Sequence, residues 1–130
     1  VDRYIEVPFL EGGRDLDGWD CYGLCWYVAA EAFGRALPTY SGRYTTPLDY
    51  RELRRLVDSE RTTSWRDIPL GSEQPGDVMV LRTRGLPIHV GLVIGEGRIL
   101  HCERSVGTVV ERYTGLMWAR RILGVHRYGD

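Results

Sequence analysis

The stretch Asp20-Cys21-Tyr22-Gly23-Leu24 joins a glycine-rich loop to a helix and sets a thiol in that helix's first turn. Upstream, Glu11-Gly12-Gly13-Arg14-Asp15-Leu16-Asp17-Gly18 consists of turn formers with little apolar content, so irregular, exposed backbone is expected there. Downstream, Leu24, Cys25, Val28 and Ala32 recur at three- and four-residue steps, with Trp26, Tyr27 and Ala29 between them. That spacing predicts a largely buried helix ending near Gly34, with Asp20 as its N-cap. Unpaired N–H groups and the positive end of the dipole favour an anion at such a start. They can bring a thiol pKa from ~8.5 into a range of about 3.5 to 7.5. Cys21 therefore reads as a nucleophile; the competing reading is a packed thiol, since free cysteine is among the most buried residue types.

The chain has 130 residues, 43% of them hydrophobic, and a net charge of −1. This suits one domain spanning residues 1–130, with no linker or internal repeat to divide it. The charge leaves no electrostatic footprint for nucleic acid or for an anionic membrane, and no apolar run is long enough to insert in one. The first residues, Val1-Asp2-Arg3-Tyr4, lack the basic and apolar regions of a secretory signal. Lysine and asparagine are absent, which excludes Schiff-base and P-loop lysines, N-glycosylation, and an asparagine orienting a catalytic histidine. Cys21, Cys25 and Cys102 are an odd set without disulfide spacing and read as free thiols.

Thr46-Pro47-Leu48-Asp49 reads as the start of a second helix running to about Ser59. The second half reads as β. Pro75-Gly76-Asp77 precedes a strand at Val78–Leu81, followed by Ile88–Ile94, the turn Gly95-Glu96-Gly97, Arg98–Cys102, Thr108–Tyr113 and Ile122–Tyr128. Short strands divided by glycine-containing turns imply an antiparallel meander, and helices before strands make the fold α+β.

His89 and His101 fall on the two arms of one hairpin, so their relation follows from counting. With a three-residue loop, Ile94 pairs with Arg98, His101 lies opposite Gly91, and His89 is two residues along on the same face. Such diagonal neighbours are about 7–8 Å apart at the backbone, within reach of two imidazoles. Gly91 leaves room for the His101 ring, while Val90, Leu92 and Ile94 face the other way, toward the helices. A two-residue loop would shift the register by one and set the histidines on opposite faces. One thiol at a helix start and two histidines on adjacent strands supply a Cys-His-X triad. Cys21 attacks a carbonyl, His89 takes its proton and later protonates the leaving amine, and His101 holds the His89 ring. The Cys21 backbone N–H supplies part of an oxyanion hole. A zinc site from Cys21, Cys25, His101 and Cys102 is the other use of these residue types, but their spacings match no finger or ribbon. His126 has no identifiable partner and reads as structural.

On four ordered elements the chain resembles the NlpC family of papain-like cysteine peptidases, which hydrolyse amide bonds in bacterial cell-wall peptides. The elements are Asp20-Cys21-Tyr22-Gly23-Leu24, Gln74-Pro75-Gly76-Asp77, His89-Val90-Gly91 and Arg98-Ile99-Leu100-His101. The resemblance implies a papain-like α+β fold with N-terminal helices packed on an antiparallel sheet. It implies Cys21 as nucleophile, His89 as base and His101 as the third member, with no metal or organic cofactor. Within the family, Val7-Pro8-Phe9 leading into Gly12-Gly13-Arg14-Asp15, the bulky Tyr22, and the ending Arg121 to Tyr128 look like tail-associated proteins of phages and gene-transfer particles. The implied setting is a tail tip, made in the bacterial cytoplasm, that meets other tail proteins and opens peptidoglycan for DNA delivery. Cell-wall members usually carry Ser where Tyr22 stands and a Tyr upstream, where the nearest aromatic residue here is Phe9. Asp20, Tyr22 and Phe9 are the substrate-binding positions so implied, and a γ-D-glutamyl link to a diamino acid in the stem peptide is the implied bond. A structural tail-tip subunit is the alternative function, and an acyltransferase use of the same trio is a third.

Overall fold

Helix α1 covers Cys21–Phe33, and both of its ends are closed as the sequence leads one to expect. Asp20 Oδ1 accepts a hydrogen bond from Gly23 N at 2.7 Å. At the other end Gly34 takes φ 64, and its N–H turns back to Ala29 and Ala30 carbonyls. Leu24, Cys25, Val28 and Ala29 are buried along the helix. Ala32, expected in that stripe, is exposed, and the half-buried Phe33 packs for the last turn instead.

The computed structural model describes residues 2–40, 65–83 and 86–129. The helix expected from Thr46 to Ser59 lies outside them. Before α1, β1 (Arg14–Asp15) and β2 (Gly18–Trp19) form a small antiparallel hairpin. The expected exposed, irregular loop is thus ordered at its end, where Gly18 and Trp19 are buried. The cause is Trp19: Leu10 N donates to its carbonyl and its own N–H donates to Pro8 O, which folds the loop back on itself.

After α1 come β3 (Trp65–Asp67), β4 (Val78–Thr83), β5 (Leu86–Gly95), β6 (Arg98–Glu103), β7 (Gly107–Arg112), the short helix α2 (Leu116–Ala119) and β8 (Ile122–Tyr128). The large strands form one six-stranded antiparallel sheet in the order β3-β8-β4-β5-β6-β7. Strands β4 to β7 are the expected meander, but β8 leaves it and returns to the far side of β4. A buried ion pair anchors this return: Arg127 meets Asp77 with both arms, at 2.7 and 2.8 Å, at the foot of β4. His126 also has a partner, Asp67 Oδ1 at 3.0 Å, and so ties β8 to β3.

Strand alternation divides the core. Val78, Val80, Val90, Leu92, Leu100 and Cys102 form one apolar cluster with the buried residues of α1. Met79, Leu81, Val93, Ile99 and Val125 form a second, against which Ile68, Trp118 and Ile122 pack. Among the described residues no helix is long and apolar enough to cross a membrane.

Candidate active site

The start of α1 is held by a buried carboxylate. Besides capping Gly23, Asp20 accepts from Arg14 Nη1 at 3.1 Å and from Gly12 N at 3.3 Å, while the Arg14 guanidinium also reaches Thr39 O. The glycine-rich loop is thereby drawn onto the helix, and a Cβ on Gly23 would lie only 2.0 Å from Gly13 O. Two residues ahead of Cys21, Trp19 is pinned to the sheet: its indole N–H donates to Thr108 Oγ1 at 2.8 Å, and its carbonyl accepts from Cys102 Sγ at 3.6 Å. Cys102 and Thr108 face each other across β6 and β7, next to His101. Cys21, itself buried, thus follows two residues after a side chain tied to Cys102 and Thr108, and Cys102 is the strand neighbour of His101.

The hairpin carrying those histidines keeps the counted register by an unexpected route. Leu92 pairs with Leu100 and Val93 with Ile99, and continuing this register sets His101 opposite Gly91. A Cβ on Gly91 would come within 3.3 Å of the His101 Cβ, so the missing side chain does leave room for that ring. Yet Gly95 pairs with Arg98, which makes the turn the two residues Glu96 and Gly97, both with positive φ. An irregularity between Val93 and Gly95 absorbs the odd residue, so a two-residue turn and a bulge together give what a three-residue loop gives.

His89 and His101 are both buried, and His89 Nε2 lies 2.9 Å from His101 Nδ1. The far nitrogen of His101, Nε2, meets Glu111 Oε1 at 3.0 Å. Trp118 stands edge-on to the His101 ring, with the Arg121 guanidinium stacked over its indole. Burial pushes the His89 pKa down to about 3, with the neighbouring His101 and the Arg121 charge adding to the effect. His89 is therefore a neutral imidazole at physiological pH, able to accept a proton.

A consequence for stability follows. The unfolded chain protonates this histidine near pH 6.5, whereas the folded protein resists until about pH 3. Between those limits the unfolded state binds more protons, so His89 costs stability as pH falls from about 6.5 toward 3. We expect His89→Asn to flatten the acid side of the stability profile. At pH 4.5, two units below the unfolded pKa, the His89 penalty is about 3 kcal/mol, at ~1.4 kcal/mol per unit. Urea unfolding of both proteins at pH 7 and 4.5 measures it, and parallel losses in the two would refute it.

A model of the NlpC/P60 family matches residues 6–127. The chain belongs to this family. Among curated relatives, a gamma-DL-glutamyl hydrolase of Bacillus subtilis (strain 168) is 26% identical over 134 residues, covering 100% of this chain and 28% of its own length. Murein DD-endopeptidase MepS/murein LD-carboxypeptidase of Escherichia coli (strain K12) is 24% identical over 126 residues, covering 93% of this chain and 57% of its own. Tail tip assembly protein K of Escherichia phage lambda is 28% identical over 130 residues, covering 98% of this chain and 63% of its own. The NlpC/P60 chain thus spans less than two thirds of each of these relatives. In fold it is similar to the NlpC/p60 domain of the peptidoglycan hydrolase SagA, with a TM-score of 0.58 at 22% identity, covering 95% of this chain and 89% of that one.

The three positions of this NlpC/P60 domain singled out for substrate binding are all engaged internally. Tyr22 is fully buried, its hydroxyl donating to Pro38 O at 2.5 Å and its ring against Tyr40, so its bulk fills core. The Asp20 carboxylate is committed to the loop and the helix cap. Phe9 bridges to Trp19 and is half-buried under the Arg104 guanidinium. Cys102 points away from His101, as alternation requires, and so cannot join it as a ligand. The group among the described residues that could hold a cation is His101, Glu103 and Glu111, with ligand atoms within 4.8 Å of one another. Glu111 itself went unnoticed in the sequence. The same counting applied to the next hairpin finds it: Glu103 pairs with Gly107, which sets His101 opposite Val109 and Glu111 diagonal to it on the same face.

Proposed function

We propose that this domain hydrolyses amide bonds in peptidoglycan stem peptides, with Cys21 as nucleophile, His89 as general base and acid, and His101 orienting His89. The observation that carries the reading is the buried, neutral His89 hydrogen-bonded to His101, whose strand neighbour Cys102 holds the Trp19 carbonyl two residues ahead of Cys21. Cys21 Sγ attacks the carbonyl carbon while its proton passes to His89. The Cys21 backbone N–H stabilises the oxyanion. The C–N bond then breaks as His89 returns the proton to the amine nitrogen, leaving a thioester on Cys21. Water attacks the thioester carbonyl, giving its proton to His89, and the carboxylic product departs as the thiol is restored.

The bond favoured is a γ-D-glutamyl link to a diamino acid. Its support is the activity named for two relatives, the gamma-DL-glutamyl hydrolase and a gamma-D-glutamyl-L-lysine dipeptidyl-peptidase of the same Bacillus strain, the latter 23% identical over 128 residues. The setting favoured is a phage-like tail tip, supported by the similarity to tail tip assembly protein K along 98% of this chain. That relative's name also supports a second reading, an assembly subunit at the tail tip. Incubating the purified protein with a defined tetrapeptide muropeptide and weighing the products separates the two. Hydrolysis gives two fragments whose masses sum to the substrate plus one water, and the fragment masses name the bond. A folded protein that leaves every muropeptide bond intact overturns the hydrolase reading and favours assembly.

A further inference from the structure

We infer that Glu111 is a positioning residue for this reaction, fixing the tautomers of both imidazoles so that the Nδ1 lone pair of His89 is the one that receives the Cys21 proton. The inference rests on the reading of His89 as general base, and deepens it.

An ionised carboxylate offers only acceptors. The 3.0 Å contact between His101 Nε2 and Glu111 Oε1 therefore places a proton on His101 Nε2. With the ring pair in its neutral form each imidazole has one N–H, so Nδ1 of His101 keeps its lone pair. That lone pair faces His89 Nε2 at 2.9 Å, which must then be the protonated nitrogen of His89. The lone pair of His89 is left on Nδ1. One carboxylate thus decides, two rings away, which atom is basic. The opposite assignment would put the proton on His89 Nδ1 and leave nothing to accept from a thiol.

Glu103 is the competing carboxylate. Its Oε1 lies 3.8 Å from His101 Nδ1, too long for a hydrogen bond and at the nitrogen His89 already occupies. Glu111 wins on both distance and direction. Its strand explains the placement: β7 sets Glu111 opposite Ile99, one pleat repeat beyond the Val109 that faces His101. With its side chain 39% exposed, Glu111 meets water on one side and a fully buried ring on the other. When the Cys21 proton reaches His89, the ring pair gains one positive charge, and the carboxylate at its far end favours that state.

Nitrogen-15 NMR of the histidine side chains at neutral pH reads the tautomers directly, without any substrate. We expect both His89 and His101 as Nε2–H forms in the native protein. In Glu111→Leu, which removes the acceptor and leaves an apolar side chain one atom shorter, the His101 signals should move to a mixture of tautomers. The same variant should lose about 10- to 100-fold in kcat on the muropeptide with KM within about twofold, because orientation acts on the transition state and not on substrate binding. Its thermal midpoint should stay within a few degrees of the native one. A native His101 protonated at Nδ1 overturns the inference, as does a Glu111→Leu protein that keeps either the native tautomers or the native kcat. A native protein with the expected tautomers but no activity would instead overturn the hydrolase reading, so the two failures are told apart.

Discussion

Cys21→Ala is expected to leave a folded protein whose muropeptide cleavage has fallen by on the order of 10⁴-fold or more, the scale on which removing a covalent nucleophile acts. Only one buried sulfur is lost, at a cost of about 1 kcal/mol, so the thermal midpoint should fall by no more than several degrees. The other two thiols cannot take over. Burial holds the Cys25 thiol well above its ordinary pKa and pushes Cys102 up to about 11, so neither supplies thiolate at neutral pH. Product mass analysis beside calorimetry checks both halves of this expectation. Cleavage within tenfold of the native protein would show that Cys21 is not the nucleophile.

Gly23→Ala should be the most damaging single-methyl change in the helix. In an ordinary helix interior the substitution stabilises, by up to about 1 kcal/mol, because alanine is the better helix former. Here the new Cβ would fall 2.0 Å from Gly13 O, with Arg14 Nη1 and Asp20 Oδ1 at 3.0 and 3.1 Å. The first obstacle is backbone, so it cannot rotate away. Relief requires moving the loop off the helix, which disturbs the Asp20 hydrogen bonds to Gly12 and Arg14 as well. A loss of about 3 kcal/mol and a fall in Tm of roughly 10 °C are expected. A midpoint unchanged or raised in a thermal melt would mean that the loop does not pack on the helix start as described.

The α+β layout, the limits of α1, its Asp20 and Gly34 caps and the approximate positions of the five main strands were legible because each is signalled locally, by a cap, a turn or an alternating run. The His89–His101 contact was legible too, since a hairpin's register depends on few residues. What escaped was specified at long range. β3 spans only Trp65–Asp67 and exists through its pairing with β8. β8 itself reads as an ordinary strand, and nothing near Ile122 announces that Arg127 will reach Asp77, fifty positions earlier. Glu111 looks like any charged residue on a strand's wet side until the β6–β7 register sets it against His101. Tyr22 misled in the opposite sense. Beside a nucleophile its size suggested a groove wall, but its hydroxyl on Pro38 and its ring against Tyr40 hold it inward.

The irregularity between Val93 and Gly95 works like a suppressor of a reading-frame shift. Parity along a strand allows a side chain only two destinations, so a residue gained or lost between His89 and His101 that slips the pairing of the arms would send one ring to the opposite layer. A compensating bulge cancels that slip within the same hairpin. A residue gained or lost here leaves the two rings together as long as the turn, or a bulge made or erased, takes it up. Relatives with hairpins of unequal length can share one pair of imidazoles, and turn length by itself says nothing about whether they do.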